Sequence, residues 1–162
     1  MRELAQQVGR ALKSAGLALV TAESCTGGWV AQAVTSVAGS SQWFERGFVT
    51  YSNAAKEEML GVPRALLERS GAVSEETARE MALGALRHSR GTVAVAITGV
   101  AGPSGGTPAK PVGLVCFAWA TRGETRIETR HFAGDRESVR RQSVVHALQG
   151  VLELLQKGPP DS

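Results

Sequence analysis

Thr21-Ala22-Glu23-Ser24-Cys25-Thr26-Gly27-Gly28 is the stretch that decides the fold. It follows the apolar run Leu17-Ala18-Leu19-Val20 and precedes the amphipathic segment Trp29 to Val37, so the chain reads as a strand passing through a tight turn into a helix. In that geometry the turn side chains sit at the mouth of a sheet. The first helical N–H groups, which lack intrahelical partners, face whatever docks there and favour an anion or a developing oxyanion. Ser24 is the hydroxyl best placed to act as a nucleophile, with Cys25 and Thr26 close behind it, and Gly27 and Gly28 remove the Cβ atoms that would block close approach. A second role is open to Ser24 or Thr26, the plain capping of the helix.

Outward from the turn, helices and strands alternate. Leu4, Val8, Ala11, Leu12 and Ala15 keep the spacing of a helix burying one face, stopped by Gly16. Phe44 to Tyr51 reads as a strand, followed by a short helix from Ser52 or Asn53 to Leu60-Gly61 and another opened by Pro63. Ser74, with Glu75 and Glu76 behind it, is a helix start. Thr92 to Ile97 has the continuous apolar character of a strand covered on both faces. Val112 to Thr121 and Thr125 to Phe132 form an antiparallel hairpin around Arg122-Gly123-Glu124, and Asp135 caps a final helix to about Gln156. This order predicts an α/β fold, a three-layer α/β/α sandwich with a mixed sheet, in one domain over residues 1–158 with a tail at 159–162.

The bulk numbers limit the function. A chain of 162 residues, 43% hydrophobic and 20% charged, is an ordinary globule, with no apolar run long enough to cross a bilayer. The start of the chain is charged and amphipathic, not a secretory leader, which points to the cytoplasm. A net charge of +3 with only three tryptophans, four phenylalanines and one tyrosine suits a small anionic ligand better than nucleic acid. Cys25 and Cys116 read as free thiols. His88, His131 and His146 share no spacing that suggests a metal or a Ser-His pair, so hydrolysis here calls for a lysine as base and no metal or other cofactor.

Three features break local rules. With Asn53 as N-cap, Lys56 falls in the first helical turn, where a cation is disfavoured. It is then either a solvated surface amine or a lysine whose pKa is lowered toward the neutral form that a general base needs. Arg140 projects into the arc of Val144, Ala147, Val151 and Leu155, with Arg136 on its margin, and needs either a bound anion or an internal partner such as Glu23. Thr98-Gly99-Val100-Ala101-Gly102-Pro103-Ser104-Gly105-Gly106-Thr107 has the glycines of a ligand loop but fits neither a phosphate-binding Walker loop nor a dinucleotide fingerprint.

Taken together, the motifs Thr21 to Gly28, Tyr51-Ser52-Asn53 with Lys56, Gly71-Ala72-Val73-Ser74, Thr98 to Pro103 with Gly105-Gly106, Lys110-Pro111-Val112-Gly113 and Gly134-Asp135-Arg136 with Val139-Arg140-Arg141 resemble the CinA C-terminal domain family. Within it the chain is similar to the stand-alone nicotinamide-nucleotide amidases, over nearly its whole length. The resemblance implies hydrolysis of the carboxamide of nicotinamide mononucleotide to nicotinate mononucleotide and ammonia, a step of pyridine-nucleotide salvage. It implies a Ser/Lys mechanism on Ser24 and Lys56, and in such a mechanism Tyr51 is expected to orient the lysine or relay its proton. Substrate is expected on Thr26, Gly27 and Gly28, on the loop residues Thr98, Gly99, Gly102, Gly105 and Gly106, and on Arg140. A homo-oligomer, dimer or higher, is implied as well. The competing classes are a non-catalytic nucleotide- or phosphate-binding module and a general amidase acting on unphosphorylated nicotinamide.

Overall fold

β1, Leu19–Glu23, is buried along its whole length, as a strand with neighbours on both edges and helices on both faces must be. The structure, a computed structural model, describes residues 1–156, and the tail expected at 159–162 lies outside them. Before β1 comes α1 (Arg2–Ala15); after it come α2 (Trp29–Thr35), a 3-10 turn (Ser40–Gln42), β2 (Phe44–Val49), α3 (Asn53–Leu60), α4 (Arg64–Ser70) and α5 (Glu75–Arg87). β3 (Val93–Gly99), the hairpin β4 (Leu114–Ala120) and β5 (Thr125–His131), and α6 (Arg136–Gln156) complete the described chain.

The sheet order is β2-β1-β3-β4-β5. β1 runs parallel to both β2 and β3, whereas β4 is antiparallel to β3 and to β5, giving the expected mixed sheet. Side chains alternate across it. Leu19, Val95, Ile97, Phe117 and Trp119 face α1, α2 and α6, while Val20, Ala22, Ala94, Ala96, Ala118 and Ala120 face α3, α4 and α5. Each face thus has its own core, and the architecture is a three-layer α/β/α sandwich.

The two faces differ in depth. Large rings fill one, where Trp119 lies against Gly150 and donates its indole N–H to Ala147 O at 2.9 Å. Alanines line the other, so α5 sits close to its neighbours, and a Cβ built on Gly84 would lie 2.0 Å from Leu60 O. Intrinsic helix propensity favours alanine over glycine by about 1 kcal/mol, whereas overpacking costs about 1–3 kcal/mol. Because the obstacle is backbone, packing decides the sign: Gly84→Ala lowers the urea-unfolding free energy by about 1–3 kcal/mol.

Several boundaries differ from the sequence reading, each for a local backbone reason. β2 stops at Val49, and Thr50 N–H, donating to Glu23 O at 2.8 Å, holds the departing chain against the end of β1. α2 stops at Thr35, where the Thr35 and Ser36 hydroxyls turn back onto the carbonyls of Ala31 and Ala33. β4 begins at Leu114 because Gly113, at φ 93°, occupies the turn that precedes it. Among the described residues, no helix is long and apolar enough to cross a membrane. The carboxyl ends of β1 and β3 emerge side by side, Glu23 opposite Ile97, and this is where an open α/β sheet places its ligands.

Candidate active site

Past the end of β1 the chain turns sharply. Ser24 N–H donates to Ile97 O and Gly27 N–H returns to Ser24 O, both at 3.0 Å, while Gly27 and Gly28 take φ values of 58° and 101° that only glycine adopts easily. Gly28, not Ser24 or Thr26, occupies the N-cap position of α2. The anion expected at this helix start is the protein's own: buried Glu23 accepts from Val30 N–H at 2.8 Å and Ala31 N–H at 3.1 Å. The carboxylate at the end of β1 therefore satisfies the helix terminus and pins the turn that carries Ser24.

Opposite stands Lys56. Ser52, not Asn53, caps α3, its hydroxyl accepting from Ala55 N–H at 3.0 Å, which places Lys56 at the end of the first turn. The lysine is only 1% exposed. Its Nζ lies 3.1 Å from Ser24 Oγ, 3.0 Å from Thr50 O and 3.3 Å from Tyr51 O. No carboxylate pairs with it among the described residues, and burial pushes its pKa below the ordinary 10.5. A neutral amine has two N–H groups and one lone pair. In that form the amine would give its N–H groups to the Thr50 and Tyr51 carbonyls and turn its lone pair to the serine, whereas as an ammonium it donates to Ser24 Oγ as well. The neighbouring Cys25 thiol is pushed up to about 12 by burial, so at neutral pH it keeps its proton and is a poor nucleophile.

These groups open into a cavity of about 330 Å³ lined also by Tyr51, Ala72, Val73, the start of the glycine loop from Thr98 to Gly102, Ser104, Gly105 and Arg136. Thr98 is spent on the wall, its hydroxyl donating to Ala72 O at 2.7 Å. Gly99 and Gly102 line the cavity but are bare because of what lies behind them: a Cβ on Gly99 would come 2.9 Å from Leu114 O, and one on Gly102 would come 2.4 Å from Val112 Cγ1. Gly105, at φ 91°, also faces the cavity, whereas Gly106 packs on Val112 outside it. Thr26, Gly27 and Gly28 form the turn behind the cavity and are not part of its lining. Tyr51 reaches Lys56 through its main-chain carbonyl. Its phenol is a different group in a different place: Tyr51 is 63% exposed, and the phenol oxygen accepts from Arg136 Nη2 at 3.2 Å.

The two arginines divide their tasks. Arg140 donates to Cys25 O at 3.1 Å and Thr26 O at 3.2 Å and lies over the Trp29 ring, so its internal partners are the turn carbonyls and not Glu23. Arg136, the first residue of α6, donates to Gly102 O at 2.8 Å and is the guanidinium that faces the cavity. The sequence pattern placed Arg136 only on the margin of the buried arc. The signal that could have found it was the Asp135 cap, which fixes Arg136 at the helix start beside the glycine loop.

The CinA C-terminal domain family matches residues 1–155 of the chain. The nicotinamide-nucleotide amidohydrolase PncC of Escherichia coli strain K12 is 57% identical over 150 residues, covering 92% of this chain and 91% of its own length. A protein of the same name from Pseudomonas putida is 53% identical over 151 residues, covering 93% and 94%. Among solved structures, the competence/damage inducible protein CihA of Agrobacterium tumefaciens superposes with a TM-score of 0.93 at 46% identity, over 96% of this chain and 95% of that one.

Proposed function

The chain belongs to the CinA C-terminal domain family, and on that premise we propose that it hydrolyses the carboxamide of nicotinamide mononucleotide to nicotinate mononucleotide and ammonia, with Ser24 as nucleophile and Lys56 as base. The observation that carries this reading is the buried amine, without a carboxylate partner, 3.1 Å from Ser24 Oγ at the floor of a cavity. The names of the relatives supply the substrate class.

Neutral Lys56 takes the proton from Ser24 Oγ as the oxygen attacks the carboxamide carbon, and the carbonyl π electrons move onto oxygen. Main-chain N–H groups of the turn after Ser24 meet that oxyanion. The Gly27 N–H is already bound to Ser24 O, and Cys25, the residue after the nucleophile, lines the cavity, so the donors lie at the front of the turn. One such donor contributes about 3–4 kcal/mol to transition-state stabilisation. Collapse breaks the C–N bond, the Lys56 ammonium protonates the departing nitrogen, and ammonia leaves an ester on Ser24. Water, deprotonated by Lys56, then hydrolyses the ester and restores the serine. The Thr50 and Tyr51 carbonyls hold the amine in place throughout.

Arg136 and the loop at Gly102 and Gly105 form the anion-facing part of the cavity and take the 5′-phosphate. A charge-assisted hydrogen bond is worth about 1.5–3 kcal/mol, so Arg136→Ala raises KM for nicotinamide mononucleotide by about 10- to 100-fold. Arg140→Ala frees the turn carbonyls instead and falls mainly on kcat. Initial rates over a substrate series separate the two.

The test is ammonia release by purified protein, read with a coupled glutamate dehydrogenase assay. Nicotinamide mononucleotide yields one ammonia per nicotinate mononucleotide formed, and unphosphorylated nicotinamide yields little. Binding of the mononucleotide without ammonia release would instead make the chain a nucleotide-binding module.

A further inference from the structure

β5 ends the sheet, and no described strand pairs with its outer side. Its outward backbone can be identified from the two ends of the hairpin. Phe132 N–H donates to Gly113 O and Glu124 O accepts from Thr121 N–H, so the even-numbered residues bond to β4. By the alternation of an antiparallel ladder, Thr125, Ile127, Thr129 and His131 turn their N–H and C=O groups outward. The row is flanked by exposed side chains, among them Ile127, which is 39% exposed on the α5 face beside a hollow shared with Pro63 and Leu66.

The charges along this edge read Glu124, Arg126, Glu128, Arg130, all on the face opposite Ile127. We propose that β5 pairs antiparallel with β5 of a second copy of this chain about a two-fold axis at Ile127, extending the sheet across the pair.

Three observations select that partner and that register. Hydrogen bonding requires odd-numbered residues to oppose odd-numbered ones, which leaves only registers whose axis passes through a residue. With the axis at Ile127, Arg126 opposes Glu128 of the second copy, Glu124 opposes its Arg130, and both pairs recur by symmetry. Moving the axis to residue 126 sets Arg126 against itself and Glu128 against Glu124. Moving it to residue 128 sets Glu128 against itself and Arg126 against Arg130. Like charges directly opposite are destabilising and opposite charges stabilising, so the pattern favours one register and penalises its neighbours.

Within the chain Arg126 reaches Glu153 and Arg130 reaches Glu128, which also meets His146. Both arginine pairs lie at the surface, and pairs of this kind are weak enough to exchange. The axis also brings the two exposed Ile127 side chains together on the α5 face, removing apolar surface from water. Because the pairing is antiparallel, the two Ser24 cavities fall at opposite ends of the joined sheet and both remain open.

The charge pattern gives a test that distinguishes this edge from any other interface. The Arg126→Glu chain and the Glu128→Arg chain are each expected to sediment as monomers at concentrations where the unaltered chain sediments as a dimer, each variant keeping its far-ultraviolet circular dichroism. Mixed together, the two variants regain the dimer mass, since the carboxylate introduced at position 126 of one chain then opposes the guanidinium introduced at position 128 of the other. A register test accompanies it: Ile127→Cys, sitting on the axis, forms a disulfide-linked dimer on mild oxidation, because opposed Cα atoms about 5.5 Å apart lie within disulfide range. A monomeric unaltered chain, a single variant that stays dimeric, or a mixture that stays monomeric overturns the proposal.

Discussion

Replacing Ser24 by alanine leaves a folded protein that still binds nicotinamide mononucleotide but releases ammonia about 10^4-fold more slowly or less. The size of the loss follows from the proposed role: Ser24 is the hydroxyl that meets the Lys56 amine, and residues acting as one catalytic unit lose nearly all their advantage when one is removed. The closest competitor is Cys25, which lines the same cavity with a thiol pushed up to about 12 by burial. Cys25→Ala is therefore expected to keep turnover within a few-fold of the unaltered enzyme. Coupled assays on the two variants, with binding checked by calorimetry, decide the assignment. Loss of turnover in Cys25→Ala with Ser24→Ala active would move the nucleophile to sulfur.

Lys56→Met is the second large effect. Methionine keeps most of the aliphatic stem and removes the base, so kcat falls by about 10^2- to 10^4-fold, the usual contribution of a positioned acid–base group. It also changes two pH dependences. In the unaltered enzyme kcat/KM rises as Lys56 loses its proton, and because burial depresses that pKa, the ascending limb lies below the ordinary 10.5. The variant loses the limb.

Stability responds with a sign that can be worked out. The folded chain releases the Lys56 proton at a lower pH than the unfolded chain, so between those two pKa values the unfolded state binds more protons and stability grows as pH rises. Relative to Lys56→Met, the unaltered chain therefore gains stability on going from neutral pH toward about 10. Paired thermal melts across that range measure the difference.

Much of this was legible in the chain. The apolar run ending at Val20, followed by the paired glycines at 27 and 28, marks a strand-to-helix turn because few other residues tolerate the φ values found there. Lys56 stood out as a cation near a helix start, and Ser74 as a capping hydroxyl, because both follow from local backbone chemistry. The unread part is tertiary. That Glu23 closes the start of α2 depends on a strand-end side chain folding back over its own turn. That Arg140 is spent on turn carbonyls depends on contacts spanning 115 and 114 residues, which no periodicity encodes. The choice of Arg136 as the cation at the cavity has the same origin, since Gly102 meets it across 34 residues.

The glycine loop teaches a related lesson. Its glycines suggested a backbone laid open to a ligand, yet Gly99, Gly102 and Gly106 are bare because Leu114, Val112 and Val115 press on them from behind. Gly105 differs: its backbone is left-handed, and a Cβ there would make only an ordinary contact with Val100 Cγ1 at 3.8 Å. Composition alone does not separate a loop emptied for a ligand from one emptied for its own neighbours.

Base catalysis by Lys56 requires an uncharged amine beside Ser24. Labelling lysine at Cε with carbon-13 and following the Lys56 resonance through a pH titration reads the charge in the resting enzyme. A midpoint well below 10.5 is the predicted result. A midpoint at or above 10.5 would leave Ser24 facing an ammonium throughout the working range, and the proposed base catalysis would be contradicted.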